Sequence, residues 1–146
     1  MGKITPFLWF DGKLEEAVRF YTSVFKNSQV MSLDPMTATF VIEGQEFMGL
    51  NGGPMFAFNE AVSFFVKCET QDEVDYYWNA LTADGGQEGN CAWLKDRFGV
   101  SWQIVPGALG RYLSDPDREK ANRVMLAMRK MKKIVIADLD AAATGN

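Results

Sequence analysis

A chain of 146 residues, 47% hydrophobic and 23% charged, has the make-up of a folded domain large enough to bury a core. A net charge of −4 and the lack of any apolar run near ~20 residues exclude a nucleic-acid binder, which needs clustered Lys and Arg, and a membrane-spanning chain. The chain has no histidine, which removes Ser–His and Cys–His nucleophilic pairs and every His-ligated metal site, and leaves Asp, Glu, Lys, Tyr and Cys as possible proton carriers.

The first ten residues lack the long apolar run and small-residue cleavage site of a signal peptide. Cys68 and Cys91 are too few for a disulfide scaffold and make no zinc pattern, so a reducing cytoplasm is the expected location. Alternating apolar residues predict a strand over 4–10, and apolar residues at helical spacing predict a helix over 14–25. Strands are predicted over 29–33, 36–43 and 45–51, and Asn51-Gly52-Gly53-Pro54 then breaks the chain.

The same order returns after the break. A strand is predicted over 61–68, a helix over 71–83, a weak strand over 87–88, and strands over 91–95 and 100–105. Thr70 with Glu73 is a capping box that starts the second helix, and Asp84-Gly85-Gly86 ends it. A constant shift of 57 carries Ala17 onto Val74, Phe20 onto Tyr77, Tyr21 onto Trp78 and Val24 onto Leu81, and places 6–10 on 63–67. A shift of 55 carries 44–50 onto 99–105. Agreement in both type and order makes chance the weaker explanation, so the chain reads as two copies of one strand–helix–three-strand module, at about 4–53 and 61–106, in a single domain over 1–146.

A C-terminal helical segment follows at about 114–140. Ser114-Asp115-Pro116 reads as its N-cap with proline near the first turn. Ala121, Val124, Met125, Met128 and Met131 share one face, which favours packing on the domain itself or on a second subunit. The basic run 129–133 fits a solvated helix C-terminus, and 141–146 reads as a frayed tail.

Strand residues alternate between faces. Val62, Phe64, Val66 and Cys68 oppose Ser63, Phe65 and Lys67, while Trp102 and Ile104 oppose Ser101, Gln103 and Val105. The all-apolar faces are expected beneath the helices, with Phe7 and Trp9 in that layer of the first module and Trp102 their counterpart in the second. Leu8, Phe10, Glu46 and Met48, with Ser63, Phe65, Lys67, Ser101 and Gln103, then form mixed faces. Apolar walls with a few fixed polar groups are the composition of a ligand pocket. The expected ligand contacts are Phe10, Met48, Ser63, Phe65, Trp93 and Gln103. Ser63 and Gln103 would supply hydrogen bonds, Phe10, Phe65 and Trp93 aromatic walls, and Lys67 or Glu46 charge. Cys91, matched to Thr37 and Thr39, is expected beside Trp93, as an inert thiol rather than a nucleophile because no cation activates it. No catalytic residue is assigned.

Three segments carry a family resemblance: Phe-Asp-Gly-Lys-Leu-Glu-Glu-Ala-Val-Arg-Phe-Tyr at 10–21, Gly-Gln-Glu-Phe-Met-Gly-Leu-Asn-Gly-Gly-Pro at 44–54, and Trp-Leu-Lys-Asp-Arg-Phe-Gly-Val-Ser-Trp-Gln-Ile-Val-Pro at 93–106. They resemble the PhnB-like family, often labelled 3-demethylubiquinone-9 3-methyltransferase, within the vicinal-oxygen-chelate superfamily of glyoxalases, bleomycin-resistance proteins and extradiol dioxygenases. The segment 114–134 is similar to this family too. The resemblance implies an α+β fold in which two βαβββ modules form a curved mixed sheet around a cleft, with a C-terminal helix, commonly as a homodimer.

Metal-using relatives place ligands in the first and last strands of each module. The internal shifts put those positions at Pro6, Ser63, Met48 and Gln103, which are expected to meet in the cleft. A proline, a thioether and two neutral groups suit no hard cation, so no metal and no cofactor is expected. Relatives also carry a longer Gly- and Pro-rich loop before the third strand and a histidine near Thr37, where this chain has only Ser32-Leu33-Asp34-Pro35.

The favoured function is a small-molecule-binding protein or metal-independent enzyme with an apolar or aromatic ligand and no assigned reaction. The alternatives are the literal methyltransferase and a non-catalytic dimeric binding or regulatory protein. A nucleotide-type cofactor such as S-adenosylmethionine calls for a Gly-rich strand-to-helix turn, and neither Gly52-Gly53 nor Gly85-Gly86 fits one.

Overall fold

Apolar residues at Leu14, Ala17, Val18, Tyr21 and Val24 give helix α1 (Leu14–Val24) one buried stripe, and the first sheet grows around it. The computed structural model describes residues 2–145 and divides into two units, one ending at Phe58 and the other beginning at Asn59. The first unit holds strands β1 (Phe7–Phe10), β2 (Ser28–Leu33), β3 (Thr37–Ile42) and β4 (Gln45–Asn51) in the order β1-β4-β3-β2, with β1 parallel to β4 and the remaining pairs antiparallel. Leu8, Phe10, Ala38, Phe40, Ile42 and Phe47 are its buried strand residues. Gly49 shares their face because helix and sheet close up there: a Cβ would lie 2.8 Å from Leu14 Cδ1.

The β2–β3 connection is a closed turn. The N–H groups of Thr37 and Met36 donate to Asp34 Oδ1 at 2.9 and 2.8 Å. These bonds, led by that of Thr37, hold the Asp34 carboxyl below its usual range.

The second unit repeats the plan with β5 (Ser63–Cys68), α2 (Gln71–Thr82), β6 (Gln87–Glu88), β7 (Trp93–Lys95) and β8 (Ser101–Pro106), in the order β5-β8-β7-β6 with β5 parallel to β8. Val74, Trp78 and Leu81 of α2 and Leu94, Trp102 and Ile104 of the sheet are buried. Burial pushes the Cys68 thiol up to about 12, so it stays protonated and inert. The capping box is present with one variation. The Glu73 N–H donates to Thr70 Oγ1 at 3.1 Å, but the Glu73 carboxylate takes the N–H of Glu69, one residue before the cap. Thr70→Ala is expected to lower the unfolding free energy by about 1 kcal/mol in urea denaturation, while an unchanged midpoint would mean the cap adds nothing.

The C-terminal segment contains three helices where the sequence predicted one: α3 (Gly107–Leu113), α4 (Arg118–Met128) and α5 (Ile136–Thr144). Ser114 does not start a helix. Its hydroxyl donates to the Gly110 carbonyl at 2.9 Å, closing α3, and the N-cap of α4 is Asp117, which accepts from the Lys120 N–H. Residues 141–144 belong to α5 rather than to a frayed tail, because Leu139 and Ala143 pack with Leu109, Val124, Ile134 and Ala92 in one apolar cluster; Asn146 lies outside the described residues. Ala121 and Val124 are buried, and Met128 and Met131 pack on that cluster, so the Met-bearing face is occupied within its own unit. Gln71 ties this segment to α2 by donating to the Ile134 carbonyl and accepting from the Ile136 N–H. Among the described residues no helix is long and apolar enough to cross a membrane.

Candidate functional site

Register sets the open face of the second sheet. Ser63, Ser101, Lys95 and Gln87 are cross-strand neighbours in one row, and Phe65, Gln103 and Trp93 in the next, so all project from the side opposite Trp102 and Ile104. The sequence placed Ser63, Phe65, Trp93 and Gln103 together, and in the sheet they are together. The Gln103 side-chain amide donates to Ser63 Oγ at 2.9 Å. Phe65 is 54% exposed, an uncovered ring beside that polar pair.

Three further residues on this side are not among the ligand contacts expected from sequence. Ser101 is 1% exposed and its hydroxyl has no hydrogen-bond partner among the described residues. Lys95 pairs with Glu60 from the loop before β5, and this ammonium holds the Glu60 carboxyl below its usual range. Together they border a cavity of about 130 Å³ whose walls include Gln87, Gly89 and Trp93. Alternation places Ser101 on the mixed face with Gln103, though not among the expected ligand contacts. The Lys95–Glu60 pair joins a strand to a loop distant in sequence and leaves no periodic signal.

Cys91 is not on this face. Strand β7 begins only at Trp93, and Cys91 and Ala92 take left-handed backbone conformations with φ of +57° and +79°. Their N–H groups donate to the Met131 and Lys132 carbonyls, which commits them to the C-terminal segment.

In the first sheet the open face carries Phe7 and Met48 opposite one another, Trp9 opposite Leu50, and Thr39 opposite Met48. Met48 thus lies on the expected side, but Phe10 does not. Phe10 is 3% exposed on the helix side, its ring 5.3 Å from that of Phe58. Phe7 and Trp9 are correspondingly not in the buried layer, and Trp9 is no counterpart of Trp102. The Trp9 indole donates to the Gly53 carbonyl at 2.8 Å, and a Cβ at Gly52 would strike its ring.

The cause is one residue of loop. Residues 11–13 join β1 to α1, whereas only 69–70 join β5 to α2. The shift of 57 that aligns the helices therefore becomes 58 in the first strands, where Phe7 faces Met48 as Phe65 faces Gln103. A slip of one residue exchanges the faces of a strand. The residue equivalent to Ser63 is thus Thr5 and not Pro6, whose carbonyl accepts the Met48 N–H at 2.9 Å.

The positions that hold metal in metal-using relatives accordingly carry Thr5, Met48, Ser63 and Gln103. Neither the hydroxyl and thioether of the first unit nor the hydroxyl and amide of the second suits a divalent cation. Among the described residues no three His, Cys, Asp or Glu side chains converge. Gly85 and Gly86 follow α2, and Gly52 and Gly53 lead from β4 into the loop before β5, so neither pair forms the strand-to-helix turn of a nucleotide-type cofactor site.

A family model described as 3-demethylubiquinone-9 3-methyltransferase matches residues 2–105, ending one residue before β8 ends. A PhnB protein of Bacillus cereus, assigned by name to the 3-demethylubiquinone-9 3-methyltransferases, is 36% identical with a TM-score of 0.66, covering 72% of this chain and 99% of that one. A glyoxalase-related enzyme from Fulvimarina pelagi is similar in fold at 17% identity and a TM-score of 0.54, over 73% of this chain and 88% of that one. So is the fosfomycin resistance protein FosX of Listeria monocytogenes, solved with Mn(II) and sulfate, at 15% identity and a TM-score of 0.57, over 77% of this chain and 96% of that one. No curated protein matches the chain.

Proposed function

The chain belongs to the 3-demethylubiquinone-9 3-methyltransferase family, and on that premise we propose that it is a vicinal-oxygen-chelate-type binding protein that takes a small aromatic molecule without a metal on the open face of its second sheet. The observation that carries this reading is the 2.9 Å hydrogen bond between Gln103 and Ser63, with Phe65 and Trp93 as cross-strand neighbours of Gln103. A fixed polar pair between apolar rings orients a flat ligand by its polar edge while the rings supply contact area. Ser63, Phe65, Trp93 and Gln103 are the proposed contacts in this unit. Met48, with Trp9, is the proposed contact on the open face of the first sheet. Phe10 is left out because it lies on the helix side.

Neither methyl transfer nor any other reaction is assigned. The proposal includes a cytoplasmic homodimer, with light scattering on the purified protein as its check: a mass of one chain would remove it. The binding reading is tested by calorimetry with a panel of quinols and aromatic metabolites. Gln103→Ala removes the amide and releases Ser63, and is expected to weaken the best ligand about tenfold. Equal affinity in the variant would move the ligand off this face.

A further inference from the structure

We propose that the polar end of this face takes the carboxylate of a small aromatic acid, and that the Glu60 side chain stands in its place in the structure. This rests on the reading above and adds the charge and class of the ligand. Lys95 and Ser101 are cross-strand neighbours, and Gln87 is the neighbour of Lys95 on its other side. An ammonium, a hydroxyl and an amide therefore lie in one row, beside a cavity of about 130 Å³. That is the share of roughly four waters at about 30 Å³ each, enough for a carboxylate and the first carbons of a ring.

Charge and hydrogen bonding then choose among ligands. Ser101 is 1% exposed and its hydroxyl lacks a partner, so an acceptor reaching this wall gains a bond that the protein does not make for itself. The acceptor now on Lys95 is Glu60, whose side chain is 60% exposed and comes from a loop, so it can turn out into water. Glu88, the other carboxylate bordering the cavity, is committed to the Trp78 indole N–H at 2.7 Å. A ligand carboxylate thus replaces Glu60 charge for charge and adds the bond to Ser101. A cationic ligand would meet Lys95, and a neutral one would not displace Glu60. Trp93, one register step along and opposite Gln103, would carry the ring.

Benzoate, benzamide and benzylamine, titrated into the whole chain by calorimetry, separate the possibilities. Benzoate is expected to bind best. Glu60→Gln, a change at an exposed loop position, is expected to tighten benzoate by about two- to fivefold, the scale of an exposed ion pair, and to leave benzamide unchanged. Lys95→Met is expected to weaken benzoate by about tenfold or more and to abolish its advantage over benzamide. Circular dichroism checks that each variant is folded. A preference for benzylamine, or benzoate affinity unmoved by both substitutions, would overturn the proposal. If benzamide binds as tightly as benzoate and is lost in Gln103→Ala, the acid assignment fails while the binding face stands. If none of the three binds at millimolar concentration, both fail.

Discussion

Asp96→Ala is expected to lower the unfolding free energy by about 3–5 kcal/mol, among the largest single-residue effects in the second unit. Asp96 is 2% exposed, and its carboxylate organises the turn from β7 into β8. Oδ1 accepts the N–H groups of Phe98 and Val100 at 2.8 and 3.0 Å, and Oδ2 accepts the Trp102 indole N–H at 2.9 Å. Alanine would strand the Val100 N–H and the Trp102 indole N–H in a buried site and strip Phe98 of its acceptor, and hydrogen bonds to a charged group are worth about twice those between neutral ones. Asp96→Asn keeps an oxygen for the two backbone donors but can turn an amide N–H toward the indole N–H, so an intermediate loss is expected. Urea denaturation followed by tryptophan fluorescence reads both. A loss under about 1 kcal/mol for alanine would mean that the turn is held by something else. The effect bears on function because this turn fixes which β7 residue faces which β8 residue, and so places Trp93 against Gln103 and Lys95 against Ser101.

In the first unit Phe40→Ala is expected to cost about 3–5 kcal/mol, the usual range for emptying a buried phenylalanine site. Phe40 is 0% exposed and its ring is nearly parallel to that of Phe47, at 5.5 Å and 14°, and to that of Tyr21 in α1, at 6.4 Å and 17°. The ring thus joins helix to sheet, and its removal takes away both the burial and the aromatic contacts. Phe40→Leu, which refills most of the volume, is expected to recover more than half of the loss. An alanine variant within about 1 kcal/mol of the parent in urea would show that the core closes around the gap.

Periodicity made most of the fold legible. The apolar stripe of α1, the Thr70–Glu73 cap and the alternation of β5 and β8 each depend on neighbours within a few residues, and each has its expected place. The face of β1 is not legible from the helix alignment because the strand–helix loops of the two modules differ by one residue, and the strand period of two turns that difference into the opposite face. Phe10 was misplaced for this reason, while Ser63 and Gln103, read within their own unit, were not. In the C-terminal segment, Ser114-Asp115-Pro116 contains the right residue types for a cap, but Ser114 was already engaged by the end of α3. The small residues of α5 gave little pattern, and what orders them is the packing of Leu139 and Ala143. The pairing of Lys95 with Glu60 and the unpartnered Ser101 hydroxyl are tertiary facts that local spacing does not encode.

The claim that a small aromatic ligand occupies the open face of the second sheet is tested most directly by recording ¹H–¹⁵N spectra of the labelled chain while benzoate, and separately benzamide, is added. The expected shifts are at the Trp93 indole, the Gln103 side-chain amide and the backbone amides of Lys95 and Ser101, and they should be strongly reduced in Gln103→Ala. Shifts confined to the groove of the first unit bordered by Arg19, Pro35 and Asn51, or to the C-terminal helices, would contradict it.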